Sequence, residues 1–337
     1  MENETNVTGN VMSNMAGNAT ARERLNLQKC GIIGCGAVGA TAAHTLLGSG
    51  LFSEMVLIDI NHKKAEGEAM DIGHGAPFVK PVNIYAGDYS DLEDAYLVII
   101  TAGANQMPGE TRIDLAEKNV AIFKHIIPEI VRYNKDCILL IVSNPVDILT
   151  SVALKLSGFE PGRVIGSGTV LDTGRFKYLL GEHLGVDSRN VHALIIGEHG
   201  DSEVAVYSSA NISGVDLDEF CRTCHKCTDR ESMHRIYEDV KNSAYEIIER
   251  KGATFYAIAR VVKRIAQALI RDENAILTVS SLVDGHYGIY DVCLGLPSVV
   301  GRDGVKWIID TPLDTGELEQ LTSSAKKLKE VLNGLDY

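Results

Sequence analysis

Between residues 30 and 156 the sequence alternates between two kinds of repeat, and few folds accommodate both. Short apolar runs at 30–34, 55–60, 82–86, 96–101 and 138–143, several of them continuously apolar, are separated for the most part by amphipathic segments at 38–47, 63–72, 112–133 and 146–156. A strand that is apolar at every position is covered on both faces. Strands alternating with helices imply right-handed crossovers and a parallel, doubly wound sheet. Beyond residue 164 the rhythm changes. A helical stretch at 173–184 leads to a strand at 191–196, and longer helical patterns cover 231–250 and 254–268. Strand-like runs at 275–283, 288–294 and 305–309 and a charged amphipathic helix at 316–332 complete the chain. The predicted fold class is α/β, with a parallel sheet domain at 28–165 followed by an α+β domain at 166–337. Residues 1–27 lack apolar periodicity and are predicted to be a disordered tail.

The turn after the first strand, Gly34-Cys35-Gly36-Ala37-Val38-Gly39, fits GxGxxG in its proper place between strand and helix. The first glycine permits a tight turn, the second lets backbone approach a pyrophosphate, and the third lets helix and strand pack closely. Such turns also arise by chance. Asp59 strengthens the case, because it ends the next strand about 20 residues on, where a carboxylate accepts bonds from ribose hydroxyls. Its charge also repels a 2′-phosphate, which favours NAD over NADP. The sheet domain therefore reads as a Rossmann-type dinucleotide-binding unit. Gly103 and Ala104 follow the fourth strand with little bulk. Val142, Ser143 and Asn144 end the fifth, where open sheets place ligand contacts. Asn144 reads equally as a helix N-cap before Pro145.

The second half supplies chemistry. His199, between glycines after a strand, suits proton exchange near neutral pH, although a lone loop histidine is more often structural. Asp172 and Arg175 stand three apart at a helix start and share one face. The carboxylate can orient an imidazole while the guanidinium clamps a substrate carboxylate with two bonds. The loop Gln106-Met107-Pro108-Gly109-Glu110-Thr111-Arg112 has the Gly/Pro content of a lid ending in a second arginine.

These stretches resemble the L-lactate dehydrogenases, bacterial members especially, of the lactate/malate dehydrogenase superfamily. GCGAVG, VLIDI, TAGANQMPGETR, VSNPVD, GSGTVLDTGRF, IIGEHGD and KGATFYAIA occur in that family's order from about residue 29 to the C-terminus. The resemblance implies NAD as cofactor and interconversion of pyruvate and L-lactate. It makes His199 the proton donor and acceptor, Asp172 its partner, Arg175 the carboxylate clamp and Arg112 the group that polarises the carbonyl. It places Thr254 and Asn144 along the substrate, and Val38, Asp59, Lys64, Tyr89, Val142 and Ser167 along the cofactor. Gln106 stands where a malate dehydrogenase of this type carries arginine. A neutral side chain leaves a second substrate carboxylate unpaired in a closed site, so pyruvate is expected over oxaloacetate. Malate, bulkier 2-hydroxy acids and a catalytically silent NAD-binding module are the competing readings. A silent module need not keep His199, Asp172, Arg175 and Arg112 together. The family carries alanine where Gly174 stands, and no change of chemistry is expected from that.

The resemblance also implies a homotetramer and a fructose bisphosphate effector site between subunits, at positions that are Lys177 and His192 here. Lysine keeps the charge but loses arginine's two-bond fork, so a weak response is expected. The formal net charge of −13 argues against nucleic acid and acidic membrane surfaces as partners. No apolar run approaches the roughly 20 residues of a bilayer span. Seven scattered cysteines and no recognisable leader pattern point to reduced thiols and a cytoplasmic location. The cluster Cys221–Cys227 lacks the second half of a zinc site and reads as a surface loop.

Overall fold

The computed structural model describes residues 25–104, 109, 111–224 and 230–337. Its first half is built as the alternation requires. Strands β1 (Asn26–Ile33), β2 (Glu54–Ile58), β3 (Asn83–Ala86), β4 (Ala95–Ile100), β5 (Ile138–Ile141) and β6 (Val164–Gly166) run parallel in the order β3-β2-β1-β4-β5-β6. Helices α1 (Ala37–Ser49), α2 (His62–Gly73), α3 (Arg112–Tyr133) and α4 (Val146–Ser157) cover both faces. All residues of β4 and β5 are buried because each side chain meets one of two apolar layers. One layer holds Phe123, Ile127 and Ile130 of α3 with Leu149 and Val152 of α4. The other holds Ala42, Ala43 and Leu46 of α1.

The sheet then continues into the second half as β11 (Ser280–Val283), β12 (Val292–Gly295), β7 (Val191–Gly197), β8 (Glu203–Ile212) and β9 (Val215–Asp216), eleven strands in all. Two single-residue pairings make the joints, Ser280 with Gly166 and Gly295 with Gly197. A small antiparallel sheet of β10 (Ala275–Leu277), β13 (Ser298–Gly301) and β14 (Gly304–Ile308) lies apart. Helices α5 (Val170–Leu184), α6 (Leu217–Cys224), α7 (Arg230–Lys251), α8 (Tyr256–Ile270) and α9 (Thr315–Gly334) complete the chain. α8 packs on α1 and shares its apolar layer.

Several expectations need correction. β1 begins at Asn26, inside the stretch read as tail. Its backbone amide donates to Asp94 O at 2.8 Å, and pairing of this kind needs no apolar side chain. The run at 275–283 is two strands in different sheets. The 288–294 run is extended and paired only from Val292, after a tight turn at His286–Gly288. Residues up to Cys224 of the cysteine cluster are helical rather than loop: Leu217, Phe220, Cys221 and Cys224 recur at three-to-four spacing and pack beside β7 and β8. Cys221 is disulfide-bonded, contrary to the all-reduced reading, whereas Cys30, Cys35, Cys137, Cys224 and Cys293 are free. Among the described residues no helix is long and apolar enough to cross a membrane, and no cluster of metal ligands occurs.

Candidate active site

The strand order reverses between β1 and β4, and open parallel sheets bind ligands in the crevice beyond the strand ends at such a point. Backbone from both strands converges there. The amides of Thr101 and Ala102 donate to Ile33 O at 2.8 and 2.9 Å, and the Thr101 hydroxyl donates to Gly34 O at 2.7 Å. The three motif glycines differ in what requires them. Gly34 has φ of +100°, and a Cβ there would lie 2.5 Å from Ala102 N. A Cβ on Gly39 would collide with Gly34 O, whereas one on Gly36 would meet nothing within 4 Å. Gly34 and Gly39 thus serve packing, and Gly36 leaves an open approach to the start of α1. That helix start has no side-chain cap, so its free N–H groups face outward as an anion site.

Asp59 turns back toward this helix start. Its Oδ2 accepts from Cys35 N at 2.7 Å and its Oδ1 from Asn61 N at 2.9 Å, which fixes the carboxylate and leaves lone pairs for further donors. Ile60 beside it is fully exposed, an apolar side chain standing free at the crevice edge. These features fit a dinucleotide: an uncapped helix start for the diphosphate, an oriented carboxylate for ribose hydroxyls and an unpartnered apolar surface for the adenine. Val38 is half-buried in the first turn of α1, and Lys64 is exposed in the first turn of α2. Tyr89 opens a 3-10 turn with its ring half-buried against the core under α3. Val142, Ser143 and Ser167 are buried at strand ends, and Gly103, Ala104 and Asn144 sit at the same edge. Ser143 Oγ donates to Ala102 O at 2.6 Å. The N-cap reading of Asn144 does not hold: Pro145 occupies the cap position of α4, with no side-chain cap.

Asn119 was not singled out from the sequence. Only 1% exposed on α3, it accepts from Ala104 N at 2.7 Å and donates to Asn144 O at 2.6 Å, tying the loop after β4 to the end of β5. A signal existed: Leu115, Asn119 and Phe123 follow one another at i, i+4, so a polar residue falls on the buried stripe.

The second cluster gathers around His199. α5 places Asp172 and Arg175 on one face, and Arg175 Nη1 lies 2.9 Å from Asp172 Oδ1. The other carboxylate oxygen, Oδ2, is 2.5 Å from His199 Nδ1. Asp172 is buried, while the His199 side chain remains 24% exposed. With Nδ1 held, Nε2 is the nitrogen free to meet a substrate. Burial alone would lower the His199 pKa, but the charge and hydrogen bond of Asp172, with Asp147 and Glu203 behind, outweigh it and push the imidazole up to about 9. Burial likewise works to raise Asp172, and the charges of His199 and Arg175 hold it below the usual carboxylate range. Glu203 went unread. It is buried, its Oε1 has no partner among the described residues, and burial together with Asp172 pushes its carboxyl up to about 8.

The His199 loop is held from other elements as well. Its backbone N–H donates to Asp147 Oδ2 on α4 at 2.8 Å, and the preceding Glu198 N–H donates to Ser324 Oγ on α9 at 2.9 Å. Thr254 is half-buried in the turn between α7 and α8. Lys177 is half-buried on α5, where burial lowers its ammonium pKa, and His192 is exposed on β7. Gly174 is exposed, and a Cβ there meets nothing within 4 Å, so the family's alanine fits this position. Gln106 and the side chain of Arg112 lie outside the described residues.

Comparison with known proteins matches this architecture along nearly its whole length. The family model described as lactate/malate dehydrogenase, NAD binding domain, matches residues 28–166, and the alpha/beta C-terminal domain of the same family matches 169–335. The L-lactate dehydrogenase of Acetivibrio thermocellus is 59% identical over 310 residues, covering 92% of this chain and 98% of that protein. L-lactate dehydrogenase 1 of Clostridium acetobutylicum is 58% identical over 308 residues, 91% of this chain and 98% of the relative. Among solved structures, the ligand-bound minor L-lactate dehydrogenase of Enterococcus mundtii superposes with a TM-score of 0.89 at 41% identity, covering 92% of this chain and 98% of that one. A lactate dehydrogenase from a deep-sea metagenome library gives 0.90 at 44%, covering 93% and 100%.

Proposed function

The chain belongs to the lactate/malate dehydrogenase family, and we propose a division of labour for the residues of its site on that premise. The reaction is the NAD-dependent interconversion of pyruvate and L-lactate. When bound, NADH supplies the hydride that the second carbon of pyruvate receives.

Arg175 clamps the substrate carboxylate with the edge of its guanidinium not turned to Asp172. His199 then stands with Nε2 toward the carbonyl oxygen and gives up its proton as that oxygen gains negative charge. Asp172 fixes the ring through Nδ1 and favours its protonated form. In lactate oxidation the same nitrogen takes the hydroxyl proton back. Arg112 polarises the carbonyl when the lid closes, Gln106 faces the methyl group, and Asn144 and Thr254 line the substrate. Gly34, Gly36, Val38, Gly39, Asp59, Lys64, Tyr89, Gly103, Ala104, Val142, Ser143 and Ser167 form the cofactor side, with Ile60 against the adenine.

The observation that carries this assignment is the chain Arg175–Asp172–His199, closed by contacts of 2.9 and 2.5 Å. It also sets the pH behaviour. Reduction needs the proton on His199, so kcat/KM for pyruvate holds below about pH 9 and falls above it, while lactate oxidation rises through the same range. The test is NADH oxidation with pyruvate, oxaloacetate and branched 2-keto acids. Pyruvate is expected to have the highest kcat/KM, and a preference for oxaloacetate would reassign the specificity loop. A cytoplasmic homotetramer, with fructose bisphosphate bound near Lys177 and His192, is the assembly we propose. The family supports it, and sedimentation of the free protein tests the stoichiometry.

A further inference from the structure

His199 owes its place to more than Asp172. Its backbone amide is the donor in a 2.8 Å bond to Asp147, a residue 52 positions earlier in the chain. Asp147 lies in the first turn of α4, directly after the Asn144–Pro145 edge of the cofactor crevice, and is 2% exposed. Its second oxygen, Oδ1, is buried and makes no hydrogen bond of good geometry among the described residues, although the Ser280 hydroxyl stands close enough to favour its ionised form. A buried carboxylate with a lone oxygen is costly unless its position serves another group. Packing alone does not call for it, since an apolar side chain of that size would fill the space without the desolvation penalty.

We propose that Asp147 is a positioning residue for the reaction: it anchors the backbone of His199 to the helix that leaves the cofactor crevice, so that the proton donor and the crevice hold a common register. This rests on the assignment of His199 as proton donor. The charged and titratable groups facing Asp147 are His199 and Glu198 on the loop between β7 and β8, with the Cys293 thiol on β12. Those facing His199 are Asp172 of α5, Asp147 of α4 and Glu203 of β8. Asp147 therefore acts on the imidazole in two ways. Its hydrogen bond fixes the loop, and its charge helps to keep the proton on the ring. Burial pushes the Asp147 carboxyl up to about 6, against the bonds from Ser280 and the His199 amide, so it is ionised across the alkaline limb.

The two contributions separate by substitution. Asp147→Ala removes both, and Asp147→Asn keeps an acceptor oxygen while removing the charge. For Asp147→Ala, pyruvate turnover is expected to fall about tenfold to a hundredfold, the scale of a catalytic group displaced by about 1 Å. NADH affinity, read from quenching of nucleotide fluorescence, should change by less than about threefold, a bound well inside that loss. Asp147→Asn should recover most of the turnover while its alkaline limb for pyruvate reduction moves down by about one pH unit, because a neighbouring anion is gone. His199→Asn is run beside them. If it keeps its turnover, the assignment of His199 itself fails. If it loses turnover while folded Asp147→Ala stays within twofold of the parent, only the role of Asp147 is overturned. Equal damage from both Asp147 substitutions with an unmoved alkaline limb would also overturn it, leaving Asp147 a packing residue. Should Asp147→Ala not fold, the limb of Asp147→Asn decides.

Discussion

The cofactor crevice and the proton-transfer cluster are assembled in different ways. The crevice is framed by one short motif, Gly34 to Gly39 in a single turn and helix start, on which the backbone of Thr101 and Ala102 and the Asp59 carboxylate close. The cluster has no such frame and is assembled from single side chains on several elements. Asp172 lies 27 residues from His199, Asp147 lies 52 away, and Ser324 reaches the adjoining Glu198 from 126 residues on. A framing motif is readable in the sequence. The cluster is only partly so, because Asp147 and Glu203 show their purpose only once the chain has folded.

The sharpest test of the contrast is His199→Asn. General acid catalysis is worth about 10²–10⁴-fold, so turnover should fall by that factor while NADH binding stays near its parent value. A matching loss of NADH affinity would mean that the two regions are not separable. Specificity comes next. Gln106→Arg should move the ratio of kcat/KM from pyruvate toward oxaloacetate by about tenfold to a hundredfold, because a guanidinium pairs with the second carboxylate. An unchanged ratio would remove Gln106 from the substrate's surroundings.

Within the crevice the glycines should separate by stability. Gly34→Ala forces a positive φ and a backbone collision, and should destabilise the fold by about 1–3 kcal/mol. Gly36→Ala meets open space and should shift stability by less than about 0.5 kcal/mol, as surface changes do, while weakening NADH binding. Chemical denaturation of both variants decides this, and equal losses would refute the division between packing and approach. The smallest effect is expected at the effector position. Fructose bisphosphate should stimulate weakly, and Lys177→Arg should sharpen the response through a two-bond clamp. Pyruvate saturation with and without effector measures it, and strong activation surviving Lys177→Ala would place the anion elsewhere.

The same contrast explains what could be read from the sequence. The helix over 112–133 coincides with α3, since its period is sustained and Thr111 caps it through Asp114. The strand β8 was missed. Its Tyr207 and Ser208 amides donate at 2.8 and 2.9 Å to Glu317, a buried carboxylate on α9, so part of what settles this strand lies more than a hundred residues away. Ser298–Gly301 was missed for a similar reason, being defined by its partners in the small sheet. Asp172 and His199 were found because the motif around each is distinctive. Asp147 and Glu203 carry no such label, and only burial beside the imidazole marks them.

The single-residue joint between the two halves of the long sheet has a consequence for descent. A Cβ on Gly166 would run into the Thr150 hydroxyl of the first half and Ser280 of the second. The halves therefore meet along a border with no spare width, and each inherits the tolerances of the other. A chimera that exchanged one half between divergent relatives would remain whole only where Gly166 still met small side chains at both 150 and 280. Such a border makes the two halves a single heritable unit, although each resembles an independent cassette when its elements are read alone.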